Sequence, residues 1–181
     1  KNEERSLERC LNGAKPLVDR MIVVDTGSTD RTREIAKEIG AAVYTFTWVD
    51  DFSAARNFAL DQSDADWNLV LDGDEYLRDS SREKLEKILQ SRKGMWLGCI
   101  TRYDSFRDEE GISVSTAVIP RLLPKGVRYE GMIHEQPSGT YPNYDTFLEA
   151  DHDGYLYANK GERNLPYLRK AVKDYPKDGY Y

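Results

Sequence analysis

The segment Asp72-Gly73-Asp74-Glu75 places two carboxylates at i and i+2 around a glycine. Along extended backbone such groups lie about 6–7 Å apart, and a turn at the glycine can bring them toward one point. Clustered carboxylates are costly unless a cation neutralises them, and hard oxygen ligands suit Mg²⁺ or Mn²⁺. Sites of that kind keep waters and share the ion with substrate phosphates. An EF-hand is excluded, because Leu77 occupies the sixth position, where that loop needs glycine. The ordinary alternative is a solvated strand-to-helix loop. Placement favours a site: Asp72 ends the apolar run Trp67-Asn68-Leu69-Val70-Leu71, and Asp25 ends a second run, Met21-Ile22-Val23-Val24. In open α/β sheets, ligands bind beyond the carboxyl ends of the strands.

The elements that must position these acids follow from pattern. Short continuous apolar runs read as strands buried on both faces. After the first comes Thr26-Gly27-Ser28-Thr29-Asp30, turn chemistry in which Thr29 or Asp30 can cap a helix. That helix, Arg31 to Ile39, carries Ile35 and Ile39 one turn apart and stops at Gly40. A strand over Ala42–Phe46 completes a right-handed βαβ unit. A helix over Ser53–Asp61 precedes the strand ending at Asp72, and Ser80 with Glu83 forms a capping box for a helix carrying Leu85, Ile88 and Leu89. Trp96–Thr101, Val114–Ile119 and Arg121-Leu122-Leu123 read as further strands, with Arg107–Gly111 as a hairpin tip. The order is parallel at the front and partly antiparallel at the back, so the expected fold class is α/β with a mixed, mainly parallel central sheet. Arg163 to Tyr175 is helical in pattern, with Pro166 acceptable only in its first turn.

Composition narrows the function classes. The chain has 181 residues, and 26 Lys+Arg against 32 Asp+Glu give a net charge of −6. That length supports one domain with a real core. The acidic balance disfavours non-specific nucleic-acid binding. No apolar run approaches the roughly 18 residues of a membrane span, and no signal-peptide pattern opens the chain. Cys10 and Cys99 lack metal or disulfide spacing and read as buried thiols in a reducing cytoplasm. There is no GxGxxG after the first visible strand, no GxxxxGK[ST] and no GxSxG. These absences disfavour dinucleotide-dependent oxidoreductases, P-loop NTPases and serine hydrolases. A receiver-type phosphoacceptor Asp72 fits poorly with the later mixed strands. Opening at Lys1 rather than Met reads as a fragment.

Four segments in order, Lys1-Asn2-Glu3-Glu4, Val23 to Thr32 (with Asp25-Thr26-Gly27-Ser28-Thr29-Asp30), Ala55-Arg56-Asn57 and Leu71 to Glu75, resemble family 2 glycosyltransferases of the GT-A fold. The likeness covers roughly residues 1 to 155. It implies a Rossmann-like nucleotide-sugar-binding domain and inverting transfer of a sugar from a nucleoside-diphosphate donor, with Mn²⁺ or Mg²⁺ holding the diphosphate. By the same resemblance, Asp25 reads the nucleobase, Glu3 begins the nucleoside pocket, and Asp72 and Asp74 form the DxD motif. Asp74 is then the direct metal ligand and Asp72 lies closer to the ribose. Arg56 resembles a residue near the diphosphate, with a helix-surface ion pair as its plain alternative. His134-Glu135-Gln136 resembles an acceptor-side segment, with Glu135 as candidate base and His134 as competitor. The family pattern there is Glu-Asp, so Glu-Gln departs from it. His152, in Asp151-His152-Asp153-Gly154-Tyr155, resembles a late His that completes metal or diphosphate coordination, which suits Mn²⁺. Trp48, in a loop, could stack on a sugar, whereas Trp67 and Trp96 read as core.

The family opens with an apolar strand before Lys-Asn-Glu that this sequence lacks, which would expose a sheet edge and open the nucleotide pocket. The implied organisation is a catalytic domain over residues 1–158 and a helical segment over 159–181 that resembles the start of tetratricopeptide-like repeats. The partners implied are a nucleotide-sugar donor, of which a UDP-sugar is the expected kind, and a glycan, lipid-linked or peptide acceptor. Nucleic acid and membrane-spanning segments are not expected. Peripheral membrane association and self-association through a C-terminal extension stay open, and the expected location is the cytoplasm. Two rival readings are a sugar-nucleotidyltransferase, whose Gly-rich basic loop is absent, and a non-catalytic nucleotide- or glycan-binding module.

Overall fold

The computed structural model describes residues 1–78, 81–157 and 160–174, with the backbone alone for 160–163 and 174. Helix α1 (Leu7–Ala14) is followed by β1 (Ile22–Asp25), α2 (Thr32–Ile39), β2 (Ala42–Thr45), α3 (Phe52–Asp61), β3 (Trp67–Leu69), β4 (Glu75–Leu77) and α4 (Arg82–Ser91). The second half runs β5 (Leu97–Asp108), β6 (Gly111–Pro124), β7 (Tyr129–Glu130), β8 (Gln136–Pro137), β9 (Asn143–His152), α5 (Gly154–Tyr157) and α6 (Lys160–Asp174).

Strands β1 and β2 pair in parallel. A five-stranded sheet has the order β3-β6-β5-β9-β4, in which β5 and β9 are parallel and the other neighbours antiparallel. The sheet is therefore mixed, and its two faces bury different clusters. Leu122 packs with Trp96, Ile100 and Leu148 on one face, while Leu123 joins Leu60, Leu97 and Val127 on the other. Consecutive strand residues point to opposite faces, so one dipeptide serves both cores.

Among the described residues, β1 pairs only with β2 and β3 only with β6. A cavity of about 930 Å³ opens between them, walled by Val23, Leu69 and Leu71 and reaching Asp25, Arg56 and Asp72.

Several boundaries differ from expectation. Helix α2 begins at Thr32, and Asp30 holds its start from outside, accepting from the Thr32 amide at 3.0 Å. Ser80 of the expected capping box lies outside the described residues, and the observed cap of α4 is Ser81, which accepts from the Lys84 amide at 3.4 Å. The strand expected to stop near Pro120 continues through it, because β6 carries an irregularity there: Gly98 faces Leu122, Cys99 faces Pro120, and Arg121 is the extra residue. Helix α6 starts earlier than expected, at Lys160, so Pro166 lies past its first turn. Proline deprives that turn of one amide donor. Tertiary contact compensates, with Ala171 fully buried and Tyr167 edge-on to Phe52 at 5.9 Å.

Helix α1 and strands β4 and β9 were not expected. Leu7, Cys10, Leu11 and Ala14 form a buried stripe at i, i+3, i+4 and i+7. β4 is only three residues long and exists through its ladder with β9, opposite Ala150 to His152.

Candidate functional site

The two acids sit differently: Asp25 ends β1, whereas Asp72, expected at a strand end, lies three residues beyond β3, which stops at Leu69. Asp25 is 3% exposed, and its carboxylate accepts from the amides of Ser28 at 3.1 Å and Gly27 at 3.3 Å. Gly27, at φ +95°, lets the loop fold back over the strand end. The same loop meets the N-terminus, since the Asn2 amide donates to Ser28 Oγ at 2.8 Å and the Glu3 amide to Thr32 Oγ1 at 2.7 Å. Glu3 reaches the second acid cluster too: a Cβ on Gly73 would lie 3.1 Å from its Cγ. Gly73 thus permits a close approach between the N-terminal segment and the Asp72–Asp74 turn.

That turn closes with the Glu75 amide donating to the Asp72 carbonyl at 3.0 Å. Asp72 and Asp74 then diverge. The half-exposed Asp72 carboxylate takes Arg56 Nη2 at 2.8 Å on one oxygen and Arg121 Nη2 at 3.0 Å on the other. Asp74 is buried, with Oδ2 3.4 Å from His152 Nε2. His152, at the end of β9, lies opposite Glu75 of β4 and Asp104 of β5, and its Nδ1 lies 2.6 Å from Asp104 Oδ1.

Arg56 joins the donor-side acids to the expected acceptor segment. From α3, whose start Asp51 caps through the Ala54 amide at 2.9 Å, Arg56 Nε donates to Glu135 while Nη2 holds Asp72. It is not the helix-surface ion pair that was one of its two readings, because its side chain is only 14% exposed. Burial opposes its charge, but Asp72 and Glu135 more than offset this and raise its pKa well above the usual arginine value. Its neighbour Asn57 clamps Tyr129 of β7, accepting from the Tyr129 amide at 2.8 Å and donating to its carbonyl at 2.9 Å. The segment leading to His134 and Glu135 is thereby tied to α3. His134 is exposed and adopts φ +56°, an uncommon backbone for a side-chain-bearing residue. Glu135 is largely covered and faces Arg56.

Sequence reasoning passed over Glu75, Arg102, Asp104 and Arg121. Glu75 has no exposed surface and accepts from Arg121 Nε at 3.1 Å, Arg121 Nη2 at 2.5 Å, Arg102 Nη1 at 2.9 Å and the Asp72 amide at 3.1 Å. Arg102 also donates to Asp104 Oδ2 at 3.1 Å. Arg121 is the bulge residue of β6, and bulges next to sites re-aim side chains. Burial disfavours the charges of Arg102 and Arg121, yet Glu75, with Asp104 or Asp72, raises both pKa values. Only Glu75 carried a sequence signal, through its adjacency to Asp74.

The connected cluster contains the carboxylates of Asp72, Asp74, Glu75, Asp104 and Glu135 and the guanidiniums of Arg56, Arg102 and Arg121. Its five carboxylates outnumber its three guanidiniums by two. That excess matches a divalent cation, and the adjacent carboxylate and imidazole of Asp74 and His152 are a donor pair suited to Mn²⁺. No three His, Cys, Asp or Glu side chains converge on one point among the described residues. An ion here would take its other ligands from a diphosphate and water.

Trp48 is packed against Phe52 at 4.9 Å and Tyr167 of α6 at 6.2 Å between ring centroids, and its indole N–H donates to the Tyr167 hydroxyl at 3.4 Å. It lies in the loop between β2 and α3, as expected, where it lines the crevice and docks the C-terminal helix. Trp67 and Trp96 pack together at 4.5 Å, as core residues. Both cysteines are buried, and burial pushes the Cys10 thiol up to about 12. No described helix is long and apolar enough to cross a membrane.

Residues 1–175 match the family described as Glycosyl transferase family 2. Among curated proteins, a TPR repeat-containing protein of Synechococcus elongatus is 53% identical over 77 residues, 42% of this chain and 19% of that protein. The SPbeta prophage-derived glycosyltransferase SunS of Bacillus subtilis is 27% identical over 170 residues, 91% of this chain and 39% of that protein. The chain therefore spans about a fifth and two-fifths of these relatives. Among solved structures, glucosyl-3-phosphoglycerate synthase from Mycobacterium tuberculosis in complex with phosphoglyceric acid aligns at a TM-score of 0.46 and 25% identity. That alignment covers 56% of this chain and 40% of the synthase.

Proposed function

This chain belongs to glycosyl transferase family 2, and on that premise we propose that it transfers a sugar from a nucleoside-diphosphate donor, a UDP-sugar, to a glycan, lipid-linked or peptide acceptor with inversion. Its α/β architecture with a mixed central sheet is the GT-A fold. The observation that carries the proposal is one crevice lined by Glu3, Asp25, Arg56 and Asp72, with Glu135 paired to Arg56 and the buried Asp74–His152 pair in the turn beside Asp72. Its 930 Å³ fall within the range of small-molecule and cofactor sites.

In this reading Asp25 and Glu3 border the nucleoside and Asp72 the ribose, while Asp74 and His152 hold Mn²⁺ or Mg²⁺. When bound, the cation acts as a Lewis acid toward the departing diphosphate. The acceptor oxygen or other nucleophile bonds to the anomeric carbon as the bond from that carbon to the diphosphate oxygen breaks. Its proton passes to Glu135, with His134 as the competing base. Arg56 adds a second positive charge beside the leaving group, where developing charge is greatest. A diphosphate placed next to Asp72 competes with Glu135 for Arg56, and that competition frees the carboxylate to act as base. The C-terminal helix is packed by Tyr167 against Trp48, at the rim of this crevice.

The Arg56–Glu135 ion pair favours one rival, a binding module without turnover, since it engages the proposed base. One experiment separates them: release of nucleoside diphosphate from a nucleotide-sugar panel with Mn²⁺, Mg²⁺ or EDTA, for the wild type and Asp74→Asn. Metal-dependent release from one donor, lost in the variant, is the expected result. Nucleotide binding by calorimetry without release from any donor favours the binding module, and no nucleotide binding at all overturns the site.

A further inference from the structure

We propose that Asp104 is a positioning residue that fixes the ring of His152 so that Nε2, and not Nδ1, is presented to the ion beside Asp74. The inference rests on the metal reading given above and adds to it a residue that no motif announced. Asp104, His152 and Glu75 lie side by side across β5, β9 and β4, as the register places them. Asp104 and His152 are 7% and 2% exposed, so water does not compete for their contact.

An ionised carboxylate only accepts, so its 2.6 Å contact assigns the proton of that contact to His152 Nδ1. Nε2 is then the ring nitrogen whose lone pair faces Asp74 Oδ2 at 3.4 Å. Asp104 is itself held. Arg102, two residues earlier on the same strand face, donates to Oδ2 at 3.1 Å and bonds Glu75 with Nη1 at 2.9 Å. The Tyr155 ring stands edge-on to the imidazole at 4.9 Å and limits its rotation. Orienting partners of this kind set ligand tautomer and basicity, and their loss typically costs about 10–100-fold in metal affinity.

The test is a double-mutant cycle on Mn²⁺ affinity, read from the free-Mn²⁺ electron paramagnetic resonance signal with and without UDP. Asp104→Asn, which preserves volume, should weaken Mn²⁺ binding by about 10–100-fold. His152→Gln should weaken it at least as much, and the double variant no further than His152→Gln alone. Residues acting through one contact are non-additive in this way. A proton spectrum supplies a second readout. The chain has only two histidines, so a downfield, slowly exchanging imidazole N–H should persist in His134→Gln and vanish in Asp104→Asn. Asp104→Ser, which leaves Arg102 its bond to Glu75, repeats the cycle if the asparagine variant does not fold. Wild-type Mn²⁺ uptake that Asp104→Asn leaves unchanged, or losses that multiply in the double variant, would overturn the positioning role alone. A wild type that takes up no Mn²⁺ in either condition overturns the metal reading and this role together.

Discussion

Glu75→Ala should be among the most destabilising single substitutions near the site. Glu75 is wholly buried and is the one acid that both Arg102 and Arg121 bond. Removing it leaves the buried Arg121 and the largely covered Arg102 short of an acceptor and the Asp72 amide without its 3.1 Å partner. Breaking a buried ion pair from one side costs about 3–5 kcal/mol, because the remaining charge stays desolvated. That is a large share of the roughly 5–15 kcal/mol that holds a domain together. Glu75→Gln keeps the volume and one acceptor oxygen, and Asp72 and Asp104 still serve the two arginines, so its cost should be nearer ~2 kcal/mol. Urea unfolding followed by fluorescence of the packed Trp67–Trp96 pair reads both variants. With a slope of about 2 kcal/mol/M, the alanine midpoint should fall by about 1.5–2.5 M and the glutamine midpoint by about 1 M. Added NaCl should change these losses little, because buried pairs are weakly screened. An alanine variant within about 0.3 M of the wild type at equal slope would show that the network contributes far less than its geometry implies.

Three further outcomes test other parts of the molecule. A Cβ at Gly98 would lie 2.6 Å from Thr146 Cγ2 and 2.8 Å from Leu122 Cβ, so Gly98→Ala should cost about 1–3 kcal/mol by calorimetry; an unchanged melting temperature would contradict that packing. Burial pushes the Asp153 carboxyl up, but bonds from Arg5 at 2.7 and 2.9 Å and from the Tyr76 hydroxyl at 2.9 Å leave its pKa below the usual aspartate value. A depressed folded pKa gives stability that is present above the unfolded value near about 3.9 and is lost as pH falls through the folded one. Asp153→Asn should therefore flatten the acid limb of the stability profile below about pH 4, and an unaltered limb would remove Asp153 as its source. Cys10, buried and pushed up to about 12, should resist iodoacetamide at pH 8 in the folded chain and react once urea unfolds it, whereas rapid labelling of the native protein would place Cys10 at the surface.

What the sequence determined by itself is local. Apolar runs ending in Asp25 and Asp72, the glycine that stops α2 at φ +97°, and the Asp108–Gly111 hairpin needed only neighbouring residues to be legible. The stripe of α1 was equally local, written at helical spacing in Leu7, Cys10, Leu11 and Ala14. So was the alternation in β9, where Thr146, Leu148, Ala150 and His152 are buried in turn. The approach of Asp74 to His152, 78 positions apart in sequence, was available only as a family likeness.

Tertiary structure decided the rest. β4 is three residues with no pattern of its own, and its ladder to β9 is what sets Glu75 beside His152. Arg121 looked like one more residue of an apolar strand until the bulge opposite Gly98 turned it toward Asp72 and Glu75. Asp104 became a candidate partner of His152 through the β5–β9 register alone. Charge pairing in a buried cluster depends on which strands lie next to each other, and strand adjacency is a non-local property that residue spacing does not encode.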